Sequence, residues 1–280
     1  MPELVVEGTR IYYQQQGHGE PLLLLHCGLG TGGDFAAILP DLAERYTVFT
    51  PDRPGYGRSD HDIPFDDRYF AAQVYWVKRF QEALGIESAY FWGWSDGGVI
   101  ALWTAIQHPE RARAMVIEAS HLRGRKPDAT LIAQHLRPLD LPVEERARLA
   151  RQHGADYGPE LAQKWARLWL DLGQRDVYLY DGQLGAVRVP TLILHAADDP
   201  HVPTEEALAL QAAIPGAQLR VFPVGGHALH AGPAREQVLA AALAFLEEAA
   251  GRNRAPVAGV GLAAQLPERP LQSPRRGTGR

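Results

Sequence analysis

Cysteine, methionine, asparagine and lysine are nearly absent from this sequence. Among 280 residues there are one Cys, two Met, one Asn and three Lys. A single cysteine, Cys27, excludes an internal disulfide and a multi-cysteine zinc site. No run of about 18 apolar residues occurs, so no membrane-spanning helix is expected. Met1 to Gly17 has no basic segment followed by an apolar run, so no secretory leader is expected, and the default location is cytoplasmic. What is present is an ordinary globular composition, 46% hydrophobic and 22% charged. The formal charge of -5 is uneven. The chain from Gly251 onward holds six Arg and one Glu, which leaves -10 on the first 250 residues. An acidic body speaks against a nucleic-acid partner.

Short apolar runs alternate with helical periodicity, which predicts an α/β fold with a mostly parallel sheet. Leu4-Val5-Val6 and Ile11-Tyr12-Tyr13, split by Gly8-Thr9, read as a hairpin. Leu22 to Leu25 reads as a strand buried on both faces. Further strands are expected at Tyr46–Thr50, Tyr90–Trp92, Ala114–Ile117, Thr191–Leu194 and Gln218–Phe222. Helices are expected from Asp34, as N-cap, to Ala43, and over Arg68–Leu84, Val99–Gln107, Thr204–Ile214 and Arg235–Ala250. The core thus spans 1–120 and 188–250. Between His121 and Val187 the strand signal disappears, and the segment reads as a helical lid inserted over the sheet. Its stripe of Trp165, Leu168, Trp169 and Leu172 is expected to pack on the body, with some of it lining a pocket. Residues 251–280, with five Gly, four Pro and six Arg, show no periodicity and read as a disordered basic tail.

Gly93-Trp94-Ser95-Asp96-Gly97 follows a strand and opens a helix. A sharp strand-to-helix turn projects a serine hydroxyl, flanking glycines remove clashing side chains, and the helix start offers free N–H groups to a developing oxyanion. With 28 Gly and 5 Ser in the chain, Gly-x-Ser-x-Gly is expected roughly 0.05 times by chance. A serine nucleophile needs a base, and the base an orienting acid. Two loops after later strands supply them in the order Ser, Asp, His: Asp198-Asp199-Pro200-His201-Val202-Pro203, and Gly225-Gly226-His227. His26, His121, His195, His201 and His230 also fall near strand ends. A metal cluster there is conceivable, but no His-x-x-Glu-His helix pair is present, so no metal and no cofactor is assigned. His26 and His195 are expected to fix loops by hydrogen bonds.

These motifs resemble the α/β-hydrolases over most of residues 3 to 250: Leu22 to Gly30, Asp52-Arg53-Pro54-Gly55-Tyr56-Gly57-Arg58-Ser59, the serine turn, and Asp199-Pro200-His201-Val202-Pro203 with His227. Gly93-Trp94-Ser95-Asp96-Gly97-Gly98, with Ala155-Asp156-Tyr157 and Lys164-Trp165, is more narrowly similar to the biphenyl-hydrolase-like proteins of the valacyclovir hydrolase kind. The resemblance places the triad on Ser95, Asp199 and His227, with Asp199 rather than Asp198 as the acid, and implies an oxyanion hole from the backbone N–H groups of Gly28 and Asp96. The chain departs from the family at Cys27, where glycine is usual. Cys27 is expected to be a small packed residue.

Asp96 bears on the substrate. Its carboxylate lies near the developing oxyanion, and like charges about 6 Å apart at an effective dielectric near 20 repel by roughly 3 kcal/mol. The carboxylate must turn away, pair with an Arg or meet a substrate cation. In the proteins the chain resembles, this aspartate holds the α-ammonium of amino-acid esters; an acid in a helix's first turn also suits the helix dipole alone. The expected reaction is hydrolysis of a small-molecule carboxylic ester through an acyl-enzyme, without cofactor, membrane or nucleic acid. Lactonase, C–C bond hydrolase, iminopeptidase and perhydrolase activities share the triad, and a non-catalytic ligand-binding protein shares the fold.

Overall fold

The structure, a computed structural model, describes residues 3–125 and 132–254, the last three through their backbone alone. The apolar runs form one eight-stranded sheet: β1 (Glu3–Val6), β2 (Thr9–Gln16), β3 (Glu20–Leu25), β4 (Tyr46–Pro51), β5 (Ala89–Trp94), β6 (Ala112–Glu118), β7 (Thr191–Ala196) and β8 (Gln218–Phe222). Their order is β1-β2-β4-β3-β5-β6-β7-β8. β2 pairs antiparallel with β1 and β4, and every other neighbouring pair is parallel. Strand periodicity explains the leucine run. Leu23 and Leu25 point into one core and Leu22 and Leu24 into the other, all four without solvent contact. Each such burial stabilises by about 1.5–3 kcal/mol.

Helices cover both faces. α2 (Tyr69–Ala83) and α3 (Asp96–Gln107) bury Val74, Val77, Phe80, Val99 and Leu102 against one side. On the other side lie α1 (Leu39–Ala43) and the C-terminal α7 (Arg235–Arg254), through Leu39, Leu42, Val238, Phe245 and Leu246. α6 (Thr204–Ala213) joins β7 to β8. Three helix boundaries differ from expectation, the first being α3, which starts at Asp96 rather than Val99. Asp34 does not cap a helix reaching Ala43. It is the third residue of a 3₁₀ turn, Gly32–Ala37, whose N-cap is Thr31, and its Oδ2 accepts the Thr31 N–H at 3.0 Å. α7 runs four residues past Ala250, to Arg254. Residues 255–280, read as a tail, lie outside the described residues.

Between β6 and β7 the described residues form α4 (Val143–His153), α5 (Tyr157–Gln174) and short 3₁₀ turns, with a single isolated bridge, Arg123–Tyr178. Leu161, Leu168, Trp169 and Leu172 of α5 are buried on the body, while Trp165 and Trp169 also border a cavity. No helix among the described residues is long and apolar enough to cross a membrane. Because β3 and β5 to β8 are parallel, the loops after them converge at one sheet edge.

Candidate active site

Ser95 sits between β5 and α3 with φ 56° and ψ -118°. That left-handed backbone is rare for a residue with a side chain and is sustained only by its surroundings. The Ser95 N–H donates to the Glu118 carbonyl at 2.8 Å, and the Ser120 hydroxyl donates to the Ser95 carbonyl at 3.0 Å. The turn also needs a close approach: a Cβ on Gly97 would lie 2.0 Å from the Leu25 carbonyl oxygen. Ser95 is thereby presented to a cavity of about 550 Å³ that Gly28, His121, Trp165, Trp169 and His227 also border.

Asp199 and His227 meet from the loops after β7 and β8. His227 Nδ1 is 2.9 Å from Asp199 Oδ2 and 3.2 Å from Oδ1. Burial alone would raise the Asp199 carboxyl. Hydrogen bonds from His227 and from the N–H groups of His201 and Val202 more than offset it, and the net direction is down. An ionised carboxylate only accepts, so Nδ1 carries the proton and Nε2 is the basic nitrogen. Asp198, the neighbouring acid, is a loop cap: its Oδ1 accepts the N–H groups of Gly225 and Gly226 at 2.9 and 2.8 Å. Trp94 Nε1 donates to the His227 carbonyl at 2.7 Å.

The Ser95 hydroxyl does not rest on His227. Its hydrogen-bond neighbour is His121 Nε2, at 3.3 Å. Burial, with the nearby His227 charge, pulls the His121 imidazole down to about 3, so the ring is neutral; it also leans on Trp169 at 4.5 Å. The sequence marks His121 only as one histidine beyond a strand end. Its contact with Ser95 arises from two loops and carries no spacing signal.

Asp96 is buried, and a Cβ on Gly28, which borders the cavity, would lie 2.8 Å from its Oδ2. Tyr69 Oη donates to its Oδ2 at 3.4 Å and Trp169 Nε1 lies at 3.5 Å, while Oδ1 has no hydrogen-bond partner among the described residues. Tyr69 in turn accepts from Arg53 Nη1 at 3.0 Å. Burial raises the Asp96 carboxyl, and the Arg53 charge partly opposes that. This aromatic and Arg53 surround is the feature that the sequence reading missed. Its components are legible only as Tyr or Trp in helices, at separations of 27 and 73 residues from Asp96.

The loop after β3 is held from both sides. His26 Nδ1 donates to the Cys27 carbonyl at 2.8 Å and its Nε2 accepts the Arg53 N–H at 3.0 Å, the loop-fixing role expected of it. His195 is fixed more weakly: its ring is buried and interacts with the Val202 backbone, a contact too loose to count as a full hydrogen bond. From α4, Arg148 Nη1 and His153 Nε2 donate to the Leu29 carbonyl at 2.8 and 3.1 Å. Cys27 is half-buried, and burial with the adjacent Asp34 pushes its thiol up, away from a reactive thiolate. Among the described residues no group of three His, Cys, Asp or Glu converges as a metal site.

Comparison with known proteins agrees with this architecture. The α/β-hydrolase fold model matches residues 20–158. A mouse protein named serine hydrolase BPHL is 34% identical over 239 residues, covering 81% of this chain and 80% of its own. A 2-hydroxymuconate semialdehyde hydrolase of Pseudomonas sp. CF600 is 32% identical, covering 80% and 86%. Among solved structures, a meta-cleavage product hydrolase from Pseudomonas fluorescens IP01 superposes with a TM-score of 0.70 at 23% identity, over 89% of this chain and 98% of that one. The chain belongs to the α/β-hydrolase fold family and is a hydrolase.

Proposed function

We propose that this protein is a serine hydrolase that cleaves carboxylic esters through an acyl-enzyme on Ser95. The observation that carries the reading is the strained Ser95 turn opening on the same cavity as the Asp199-paired His227. Rotation about the Ser95 Cα–Cβ bond takes the hydroxyl from His121 toward His227. His227 Nε2 accepts its proton as Oγ adds to the ester carbonyl, and Asp199 holds the imidazole tautomer. The imidazolium then protonates the leaving alcohol, and a water repeats the sequence on the acyl-enzyme.

The oxyanion is assigned to the backbone N–H groups of Gly28 and Asp96. Asp96 is the first residue of α3, where N–H groups lack helical partners. The Cys27 carbonyl is turned to the core by His26 Nδ1, at 2.8 Å, and Arg53 Nη2, at 3.0 Å. In a planar trans peptide the N–H of the same unit, that of Gly28, points the opposite way. Cysteine in place of the usual glycine is therefore compatible with this donor. The helical segment 121–187 serves as the lid, with α4 fixing the oxyanion loop through Leu29.

The substrate class we favour is α-amino acid esters, because Asp96 Oδ1 is a buried carboxylate oxygen with no hydrogen-bond partner among the described residues. Hydrolysis of C–C bonds is the second reading, favoured by the similarity to the 2-hydroxymuconate semialdehyde hydrolase. A fluorophosphonate should label wild-type protein at Ser95 and leave Ser95→Ala unlabelled. Ser95→Ala should lose at least about 10⁴-fold in ester turnover with unchanged melting. A mutant within tenfold of wild type would refute the nucleophile. Faster turnover of a vinylogous 1,5-diketone than of any ester would select the second reading.

A further inference from the structure

Three residues beyond His227 lies a second carboxylate–imidazole pair that the reaction above does not use. His230 Nδ1 is 2.8 Å from Glu118 Oε1, and the His230 backbone N–H donates to the same oxygen at 3.2 Å. Trp92 Nε1 donates to Glu118 Oε2 at 2.7 Å. Both side chains of the pair are 0% exposed. The His230 ring stacks on Phe35 at 4.7 Å and meets the edge of Trp94 at 4.9 Å.

A buried ion pair needs a reason, since apolar residues of the same volume often stabilise a fold as well or better. The reason lies in what Glu118 joins. Its backbone carbonyl holds the N–H of Ser95, at 2.8 Å. Its carboxylate holds Trp92 of the strand leading to Ser95 and both donors of His230. The loop so anchored, Gly225 to Gly232, has little else to fix it: three of its eight residues are glycine, and Leu229 is its one fully buried apolar side chain. Trp94 and Asp198 hold it before and at His227; after His227, among the described residues, His230 and Leu229 are its only buried side chains, beside the backbone hydrogen bonds of its own 3₁₀ turn. Burial pulls the His230 imidazole down, but the Glu118 charge and hydrogen bond outweigh it, so the net direction is up, as for a charged pair.

We propose that Glu118 and His230 are positioning residues: the sealed pair ties the His227 loop to the strand end that carries Ser95 and so sets the distance between base and nucleophile. This rests on the proposed roles of Ser95 and His227. Fluorophosphonate labelling of wild type and of His227→Gln is therefore the first arm. Wild type that resists labelling, or His227→Gln that labels as fast, overturns the proposed function and the positioning role with it. With that arm as expected, Glu118→Gln is assayed on p-nitrophenyl acetate. The amide keeps an acceptor for Trp92 but removes the charge. A displaced base should lower kcat about tenfold to a hundredfold, with KM within about twofold, and should slow Ser95 labelling in parallel. Where Glu118→Gln does not fold, the triple variant Trp92→Phe, Glu118→Leu, His230→Phe removes every polar side chain of the set. It should melt near wild type yet show the same loss in kcat. Folded protein of either variant with wild-type kcat would overturn the proposal, because a purely structural pair moves melting and not turnover.

Discussion

Asp199–His227 and Glu118–His230 join the same two chemical groups at 2.9 and 2.8 Å, with the histidines three residues apart on one loop. In both the carboxylate is sealed. They differ at the imidazole: the His227 side chain is 18% exposed toward the cavity, and that of His230 is 0% exposed. An imidazole works as a base only if its second nitrogen can reach a proton that has to move. Access, not the pairing, therefore separates the pair proposed for chemistry from the pair proposed to hold the loop.

The comparison breaks most visibly if each carboxylate is altered in turn. Asp199→Asn keeps the acceptor for the His201 and Val202 N–H groups but lets His227 take the wrong tautomer. Ester turnover should fall by about 10⁴-fold with melting nearly unchanged. Glu118→Ala strands His230 in the core. Losing one partner of a buried pair costs about 3–5 kcal/mol, which for a chain of this size is a melting temperature lower by roughly 10 °C. Calorimetry and ester kinetics on both variants test this. An Asp199→Asn enzyme near wild-type activity, or a Glu118→Ala protein of wild-type stability, would erase the distinction.

The open pair was legible in the sequence and the sealed one was not. Asp199 and His227 stand in loops directly after apolar strands, in the order the chemistry asks for, and parallel strands bring such loops to one edge whatever the details. The serine turn was legible because glycines at fixed offsets are a steric requirement of it. Glu118 carried a weaker signal: an acid ending the apolar run Ala114–Ile117, where a buried charge must find a partner. That partner is 112 residues away, and nothing local selects His230 over the other histidines. His121 against Ser95, and Tyr69 and Trp169 around Asp96, are likewise products of packing. The boundary errors were local instead. The helix start belongs to Thr31 because Asp34 reaches back to cap from inside the turn. The C-terminal helix outlasts Ala250 by four residues, where the apolar periodicity that marks it in the sequence has already ended.

Asp96 is a buried carboxylate with no imidazole, and it sharpens the comparison from the acid side. Its compensation comes from the Arg53 charge, from the Trp169 and Trp165 indoles and from Tyr69, while Oδ1 makes no hydrogen bond among the described residues. If that oxygen takes a substrate ammonium, Asp96→Asn should cost about 2–4 kcal/mol in kcat/KM, roughly 30- to 1000-fold, on α-amino esters alone. Neutral acyl esters of the same alcohol should be unaffected or slightly faster, since a charge near the oxyanion is gone. The measurement uses substrates that differ only in the amino group, at a pH where that amine is protonated. Equal losses on both would leave a general esterase whose Asp96 serves the Ser95 turn and the Arg53 network.

His153 is the converse, a buried imidazole with no carboxylate bonded to it. The Gly57 N–H donates to its Nδ1 at 2.9 Å, so the proton is on Nε2, which donates to the Leu29 carbonyl at 3.1 Å. Burial brings the imidazole down to about 4; the Arg148 and His61 charges act the same way, while the Leu29 hydrogen bond and the Glu145 charge oppose them. The sign of the linkage follows. With the folded value below an unfolded one of about 6.5, the unfolded chain binds a proton that the folded chain refuses. Stability from this site is complete above about pH 6.5 and declines as pH falls toward 4, by about 2 kcal/mol at pH 5. His230, whose carboxylate moves it up instead, makes no such loss over that range. His153→Gln can keep both hydrogen bonds and cannot titrate. Urea unfolding at pH 7 and pH 5 should therefore show a fall in stability that is smaller in His153→Gln by about 2 kcal/mol. Equal falls in the two proteins would mean that His153 is protonated in the fold.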